Sequence, residues 1–318
     1  MTQMPAPPRP ALDTAALDDF LKRGVGSYAP DLIFTDLITD PGDLLAIHHY
    51  TDLSGLRGIV EGHDLWLTHS RYSNDEDEIS HGVQIVDQII KDRLTAKPGP
   101  GQTEKEYLER LAELLAGQSA AVYVCCFCES SDLLSQWRGY GANGAGASLG
   151  FDPALFSYIC GPDSPPSGLV RLWKVFYDDV TQRNIVGQAI DHHRNKPGLS
   201  VQQRAQQAAD AIEFFIPTFK HQAFEEEKEI RLIFTPFPGW TKKPRFRVAR
   251  NMLVPYFCLT DLTSPVGISS PARLLPVTGA CVGPSANKTL NVESVQMLLE
   301  KNGYLGKPVL SSTTPYRT

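Results

Sequence analysis

Residues 224–234 of the chain pass directly from an acidic run into an apolar strand pattern, with the sequence FEEEKEIRLIF. Because side chains alternate along a strand, Glu227, Glu229 and Arg231 are predicted to project from one face. Charges that enter a strand lose hydration and therefore need partners. One interpretation is a solvated strand edge with a structural ion pair, since ion pairs are common in proteins. The other is a polar site beside a sheet.

The composition is that of an ordinary globular protein. The chain has 318 residues, of which 42% are hydrophobic and 21% are charged, so it can bury a large core. A formal net charge of -6 provides no overall attraction to nucleic acid, although local patches can still form. The sequence contains no apolar run of about 18 residues, and its N-terminus lacks a basic segment followed by an apolar one. We therefore expect a cytoplasmic protein with no membrane partner.

Strand and helix patterns follow one another along the chain without a regular rhythm. Strands are predicted at 44–50, 64–68, 121–127, 146–151, 170–177, 229–235, 245–249, 279–283 and 308–312. Helices are predicted at 14–23, from Ser54, at 79–90, at 107–115, at 201–219 and at 292–302. This order lacks the βαβ repeat of a parallel sheet, so the predicted fold class is α+β.

The domain organisation is predicted to be simple. Residues 1–12 are rich in proline and are predicted to form a disordered leader. No repeat or linker divides the remainder, so 13–318 is predicted to be a single compact domain. The six cysteines form no C-x-x-C pair, and Cys125, Cys126 and Cys128 fall in a predicted buried strand. This pattern favours free buried thiols over metal ligands or nucleophiles.

Two glycine motifs in the middle of the chain match known patterns by spacing alone. Gly139-x-Gly141-x-x-Gly144 has dinucleotide-binding spacing, but no apolar strand precedes it and no helix pattern follows it. The segment 146–150, GASLG, matches the elbow that presents a nucleophilic serine, here Ser148. An elbow needs a strand before the serine and a helix after it, and neither is predicted. The glycines are instead predicted to form a loop that leaves room for a ligand.

Histidines and acids in the N-terminal half do not form a metal motif. His48, His49, His63, His69 and His81 include no pair at helical i, i+4 spacing in an H-E-x-x-H sequence. The acidic run at 74–78 lacks the glycine and the final acid of a calcium loop. We expect no metal cofactor.

Several motifs occur together in an order that resembles a known family. The segments HYTDLSGLRGIV, LWLTHSRYSNDEDEISHG, LLSQWRGYG, GASLGFD, KHQAFEEEKEIRLIF, VGPSAN and SSTTPYR resemble domain of unknown function 2971 over roughly residues 45–317. The His in the first strand and the late Glu in turn resemble the ADP-ribosyltransferase superfamily. This resemblance implies a mixed or antiparallel split sheet flanked by helices, and an enzyme that uses NAD as its substrate.

The resemblance also implies catalytic roles. Cleavage of the nicotinamide–ribose bond gives the sugar cationic oxocarbenium character, which a carboxylate stabilises. Glu229, the second acid of the E-x-E segment, is the first choice for this carboxylate. Glu227 would orient or deprotonate the acceptor. His49 would hold ribose hydroxyls.

Further residues are predicted to bind NAD. Arg71 would grip the pyrophosphate through its planar guanidinium, and Trp137 or Tyr140 would stack on nicotinamide. The complete set of predicted NAD-binding residues is His49, Tyr50, Thr51, Arg71, Asn74, Trp137 and Tyr140.

Two other functions remain open at this stage. A catalytically inert module of the same fold would bind NAD or a partner without turnover, and a serine hydrolase would use Ser148. The transferase interpretation implies a toxin or an anti-phage effector, with a partner or antitoxin protein. The acceptor of the ADP-ribose group would be a protein side chain, a nucleic acid, a small molecule or water.

Overall fold

The computed structural model describes residues 46–72, 77–117, 121–153, 168–236, 242–249, 251–262 and 274–315. The predicted leader at 1–12, the predicted helix at 14–23 and Asn74 lie outside these ranges. The strands are β1 (Ile47–Thr51), β2 (Trp66–His69), β3 (Tyr123–Cys128), β4 (Ala147–Phe151), β5 (Gly168–Lys174), β6 (Glu229–Pro236), β7 (Arg245–Ala249), β8 (Met252–Cys258), β9 (Val277–Val282) and β10 (Val309–Ser311). The helices are α1 (Leu53–Gly62), α2 (Asp77–Thr95), α3 (Gln102–Gly117), α4 (Leu134–Gly139), α5 (Asp179–Arg194), α6 (Val201–Phe215), α7 (Leu259–Leu262) and α8 (Lys288–Lys301).

These strands form one mixed sheet in the described part of the chain. The order along the main path is β10-β9-β4-β1-β3-β2-β8-β7, and β6 and then β5 branch from β3. β10 and β9 are parallel, whereas the other named pairs are antiparallel. The predicted α+β class and the open mixed sheet are therefore confirmed.

The sheet divides at β3, because two strands share one of its edges. β6 occupies the other edge from Tyr123 to Cys128. On the shared edge, β1 pairs with β3 only at Cys128, and β2 pairs only at Tyr123 and Val124. The edge of residues 125–127 therefore has no strand partner among the described residues. We call the gap between β1 and β2 beside residues 125–127 the split.

Helices cover both faces of the sheet, and the sheet separates two hydrophobic cores. One core joins α2, α3, α5 and α6 to sheet residues that include Val124, Trp173 and Ile233. The other joins α1, α7 and α8 to residues that include Phe127, Leu149 and Leu232. Alternation along β3 places Val124 and Phe127 on opposite faces, so a single strand contributes to both cores. No helix in the described ranges is both long and apolar enough to cross a membrane.

Local sequence signals explain where several helices begin. Asp52 caps α1 by accepting a hydrogen bond from the Gly55 amide at 2.6 Å. Ser200 and Gln203 form a reciprocal capping box at the start of α6. Most elements predicted from periodicity are confirmed with bounds that differ by at most five residues, but α4, α5, α7 and β8 were not predicted. β8 contains Pro255, which weakens its strand pattern.

Candidate functional site

Four charged side chains meet at the start of β6. Arg231 donates to both carboxylate oxygens of Glu229, from Nε at 2.8 Å and from Nη2 at 2.9 Å. The Lys220 ammonium donates to Glu229 at 3.1 Å and to Glu227 at 2.6 Å. Arg231 also donates to the carbonyl of Pro217 at 2.8 Å. We call Lys220, Glu227, Glu229 and Arg231 the β6 charge cluster.

The β6 charge cluster is buried and electrically balanced. The side chain of Lys220 is 1% exposed, that of Glu229 6% and that of Glu227 13%. Burial acts to raise the pKa of Glu229, but the charge and hydrogen bonds of Arg231, with the charge of Lys220, hold it below its usual value. Glu229 is therefore ionised at neutral pH, and Glu227 is its more accessible neighbour.

Local geometry explains how the cluster assembles. Glu229 and Arg231 lie two residues apart on β6, so their side chains share a face, as predicted. Glu227 does not belong to the strand, because it ends the 3-10 turn Gln222–Glu227. Lys228 follows with a left-handed φ of 46° and redirects the chain into β6. Glu227 therefore reaches the cluster through Lys220 and not through strand alternation.

Two tyrosines and a cysteine surround the cluster. The hydroxyl of Tyr177 accepts a hydrogen bond from the Glu229 amide at 2.9 Å. Burial, with the charges of Glu227 and Glu229, raises the pKa of Tyr140, a predicted NAD-binding residue. A hydrogen bond with the side chain of Cys126 contributes to the low pKa of Glu229. Cys126 therefore links the cluster to the centre of β3.

His49 approaches the same cysteine from the split. Its Nδ1 lies 2.8 Å from the carbonyl oxygen of Cys126 and 3.8 Å from the thiol of Cys125. The imidazole thus takes a position on the β3 edge that a neighbouring strand would otherwise fill. Burial lowers the pKa of His49, the Cys126 hydrogen bond opposes this effect, and the charge of Arg247 adds to it. His49 is therefore neutral at pH 7.

The sheet registers direct His49 and Glu229 toward different faces. His48 is opposite Cys128, and Cys128 is opposite Glu229, so these three side chains share a face. His49 follows His48 and points away from that face. The two predicted catalytic residues therefore do not face each other: β3 lies between them, and Cys126 is the residue that both approach.

Trp137 has a structural environment. It is fully buried, and its ring contacts Tyr50 edge-on with the centroids 4.7 Å apart. The indole Nε1 donates to Asp132 at 2.7 Å. The Tyr50 hydroxyl donates to the carbonyl of Ser130 and accepts from the Leu133 amide. The predicted stacking of nicotinamide on Trp137 would require this packing to open.

Asp132 is a central residue that the sequence interpretation did not identify. Its carboxylate also accepts hydrogen bonds from the hydroxyls of Ser312, Thr313 and Thr314 and from the Thr313 amide. Burial acts to raise its pKa, but these bonds and the one from Trp137 lower it to about 2. The terminal SSTT motif therefore anchors the segment that carries Trp137. The signal available in the sequence was that LLSQWRGYG, which directly follows Asp132, and SSTTPYR both belong to the motifs that resemble DUF2971.

The glycine loop closes on the protein itself. A Cβ at Gly146 would collide with the carbonyl of Thr51, and a Cβ at Gly141 would lie 2.6 Å from the Trp137 ring. Gly144 has a φ of 85°, which disfavours any residue with a side chain. The prediction that these glycines leave space for a ligand is replaced by a packing role.

Ser148 lies inside β4, between β1 and β9. It is fully buried, and its hydroxyl donates to the carbonyl of Ser131 at 2.7 Å. A nucleophile elbow requires an exposed serine at a turn from strand to helix. Ser148 therefore lacks the exposed position at a turn that the hydrolase alternative requires.

Arg71 and Thr51 lie away from the β6 charge cluster. Arg71 is exposed in the turn Ser70–Tyr72, and its amide approaches His69 Nδ1 at 3.3 Å. His69 pairs with Tyr123, five positions along β3 from the partner of Glu229, which is about 17 Å at the strand rise. Thr51 ends β1 opposite Ala147, where its side chain approaches the start of α1. In the described ranges, no group of three or more His, Cys, Asp or Glu could hold a metal.

Lys220 and Arg247 are two further charged residues, and the sequence interpretation assigned them no role. Lys220 precedes the E-x-E segment by several positions, so no local period connects them. Arg247 alternates with exposed apolar residues in β7, as charged residues of an edge strand often do. Side-chain contacts show their positions: Lys220 contacts Glu229 on β6, and Arg247 contacts Thr68 on β2.

The β6 charge cluster, Tyr140, Trp137 and Ser148 all fall within one recognisable segment. Residues 136–232, less than a third of the chain, match a family model described as protein of unknown function (DUF2971). This match supports the DUF2971 resemblance. β1, β2, β3 and Arg247 lie outside the matched DUF2971 segment. Searches of the curated proteins and of the solved structures gave no match.

Proposed function

We propose that the chain cleaves the nicotinamide–ribose bond of NAD and transfers ADP-ribose to an acceptor or to water. The observation that carries the proposal is the interaction of His49 and of the ionised Glu229, from opposite faces of the sheet, with the same residue, Cys126. His49 contacts its carbonyl at 2.8 Å from the split, and its thiol acts on Glu229 from the opposite side.

The chemistry requires a fixed negative charge near the ribose. Nicotinamide leaves with the electron pair of the C–N bond, and the ribose gains oxocarbenium character. Glu229 is ionised and stabilises this cation electrostatically. The acceptor then attacks the ribose carbon and loses a proton. We assign the acceptance of that proton to Glu227, because it is the more exposed of the two carboxylates.

Incubation of the purified protein with labelled NAD, with and without cell lysate, tests the proposal. Release of nicotinamide from the wild type supports NAD cleavage, and label on a macromolecule identifies transfer. We expect Glu229→Gln to lower the rate about 100-fold, which corresponds to about 2.7 kcal/mol of lost transition-state stabilisation. Glu226→Gln is the matched control, because Glu226 is an exposed acid in the adjoining turn.

The Glu229 variant needs a folding control. Glutamine at this position leaves Arg231 and Lys220 without a buried anion, so the variant loses stability as well as charge. Rates must therefore be compared below its melting transition, and circular dichroism provides that check. A folded Glu229→Gln protein with the wild-type rate would exclude Glu229 from the mechanism.

A second candidate function is an inert module that binds NAD without turnover. The observation that favours it is the engagement of Glu229, whose two oxygens are held by Arg231 and Lys220. Calorimetry separates the two candidates. NAD binding to a wild type that releases no nicotinamide with any acceptor would support the inert module and contradict the enzyme.

A further inference from the structure

Arg247 is a half-buried charge that lacks an anionic partner in the described part of the chain. Its guanidinium donates one hydrogen bond, from Nη2 to the Thr68 hydroxyl at 3.0 Å. Its Nε is buried and has no hydrogen-bond partner. The neighbouring Arg245 differs, because it pairs with Asp261 at 3.0 Å. The groups that act on the Arg247 charge are Tyr256 and Cys125, neither of which is a carboxylate.

An unpaired, partly desolvated guanidinium destabilises the folded protein. Removing a charge from water costs free energy, and that cost is recovered only when an anion or several acceptors replace the water. Desolvation accordingly lowers the pKa of Arg247 below its usual value. Thr68 provides one neutral acceptor, which fixes the orientation of the side chain without balancing its charge. The missing anion therefore points to a ligand.

An aromatic surface lies directly beneath this charge. The Arg247 guanidinium stands 5.7 Å from the centroid of the Trp66 ring. The Trp66 ring lies 4.5 Å from that of Tyr256 at an angle of 31°, and Trp66 is 45% exposed. A large aromatic ring that is half exposed beside an unpaired cation can stack a flat ring while the cation binds an anion.

Arg247 also faces the split. Burial lowers the pKa of His49 and the charge of Arg247 lowers it further, whereas burial raises the pKa of the Cys125 thiol to about 12 and the charge of Arg247 opposes that rise. Thr68, its hydrogen-bond partner, lies on β2, which forms one wall of the split. Arg247 and Trp66 therefore lie beside the wall of the split that β2 forms.

We propose that Arg247 binds a phosphate of a nucleoside phosphate whose base stacks on Trp66. The planar guanidinium can donate to two phosphate oxygens, and Trp66 supplies a face for the base. In this assignment Arg247 takes the role that the sequence gave to Arg71, which is exposed on the far turn of β2. The identification of the nucleotide as NAD rests on the proposed function, whereas the binding of a nucleoside phosphate does not.

Calorimetric titration with AMP, ADP-ribose, NAD and inorganic pyrophosphate tests this inference. We expect Arg247→Met to weaken binding of all four probes by roughly 10- to 100-fold, as expected for loss of a charge-assisted hydrogen-bonding group. Arg247→Lys should recover binding only in part, because lysine lacks the planar fork. Trp66→Leu should weaken AMP and ADP-ribose binding while leaving pyrophosphate binding unchanged.

Arg245→Met is the matched control for these titrations. Arg245 lies two residues away on the same strand face, but it is exposed and paired with Asp261. Its substitution should leave nucleotide binding within twofold of the wild type. Equal losses in the Arg245 and Arg247 variants would overturn the inference, because they would indicate a general effect of surface charge.

Melting temperatures separate a ligand role from a structural one. Because Arg247 has no anionic partner, Arg247→Met should melt at or above the wild-type temperature while losing nucleotide binding. A lower melting temperature with unchanged binding would assign Arg247 to the fold and overturn the inference. Tighter binding of a short single-stranded oligonucleotide than of AMP would also overturn it, in favour of a nucleic-acid surface.

The titrations also distinguish this inference from the proposed function. A wild type that binds ADP-ribose through Arg247 but never cleaves NAD would support the inference and contradict the proposed NAD-cleaving activity. A wild type that cleaves NAD with a KM unaffected by Arg247→Met would support the enzyme and overturn the inference. Failure of the wild type to bind any of the four probes would overturn the inference directly.

Discussion

Two regions on either side of β3 differ in whether their charged side chains have oppositely charged partners among the described residues. In the β6 charge cluster, Glu229 contacts two cations and is 6% exposed. At the split, Arg247 donates one hydrogen bond to a neutral hydroxyl, and its Nε has no partner. Both regions place charges beside the same strand, but only the first balances them within the described residues.

This difference separates structural charge from charge that a ligand can use. Once a buried pair has formed, removing one partner leaves the other desolvated and uncompensated. An unpaired charge already carries that cost, so replacing it with an apolar side chain removes a penalty. Substitutions in the two regions should therefore change the free energy of unfolding in opposite directions.

The largest effect is expected from Arg231→Met. This change leaves the carboxylate of Glu229 with Lys220 as its one remaining cation, and we expect a loss of about 3–5 kcal/mol of unfolding free energy. Urea denaturation followed by circular dichroism measures it. The double variant Arg231→Met/Glu229→Leu should recover much of the loss. A loss below about 1 kcal/mol, the typical value of a surface pair, would break the comparison.

A second, smaller effect is expected at acid pH. Glu229 and Asp132 have lowered pKa values, with that of Asp132 falling from 3.8 to about 2. A carboxylate with a lowered folded pKa contributes stability above its unfolded pKa and loses it as the pH falls toward its folded value. The free energy of unfolding should therefore decrease as the pH is lowered from about 4.5 to about 2.

Asp132→Asn and Arg247→Met sharpen this test in urea titrations at several pH values. Asp132→Asn should reduce the dependence on pH, because asparagine does not titrate. Arg247→Met should retain the wild-type dependence, because a guanidinium remains charged throughout this range. An acid dependence that persists unchanged in Asp132→Asn would assign the effect to other carboxylates.

The smallest effect is expected at the split. Arg247→Met should change the free energy of unfolding by less than about 0.5 kcal/mol or raise it, since the removed charge has no anionic partner. Arg245→Met, which breaks an exposed pair, should cost about 0.2–1 kcal/mol. Denaturation of both variants in parallel measures the difference. A larger loss of unfolding free energy from Arg247→Met than from Arg245→Met would show that the charge of Arg247 is compensated within the folded protein.

Local periodicity accounts for the elements that the sequence predicted well. The strand at 245–249 was predicted with its observed bounds, and α6 was predicted from Val201, because alternation and helical spacing are properties of neighbouring residues. α5 and β8 were not predicted, because their neighbouring residues do not form a clear helical or alternating pattern. α5 carries many polar residues, and Pro255 interrupts the apolar pattern of β8.

The candidate site was predicted less completely, because its contacts span long separations. Glu229 and Arg231 share a face by alternation, but Lys220 joins them through a turn that no period describes. Trp137 resembled a ligand-stacking residue by type, yet its hydrogen bond to Asp132 and its contact with Tyr50 enclose it. Residue type indicated chemistry, and packing decided whether a ligand could use it.

The sequence by itself determined the α+β class, most element positions and the shared face of Glu229 and Arg231, since each depends on residues close along the chain. The tertiary structure alone decided that β1 and β2 share one edge of β3. It also decided that His49 and Glu229 point to different faces and that, among the described residues, Arg247 has no carboxylate partner. Strand registers and charge pairing join residues that are far apart in sequence, and local periodicity holds no information about such distant partners.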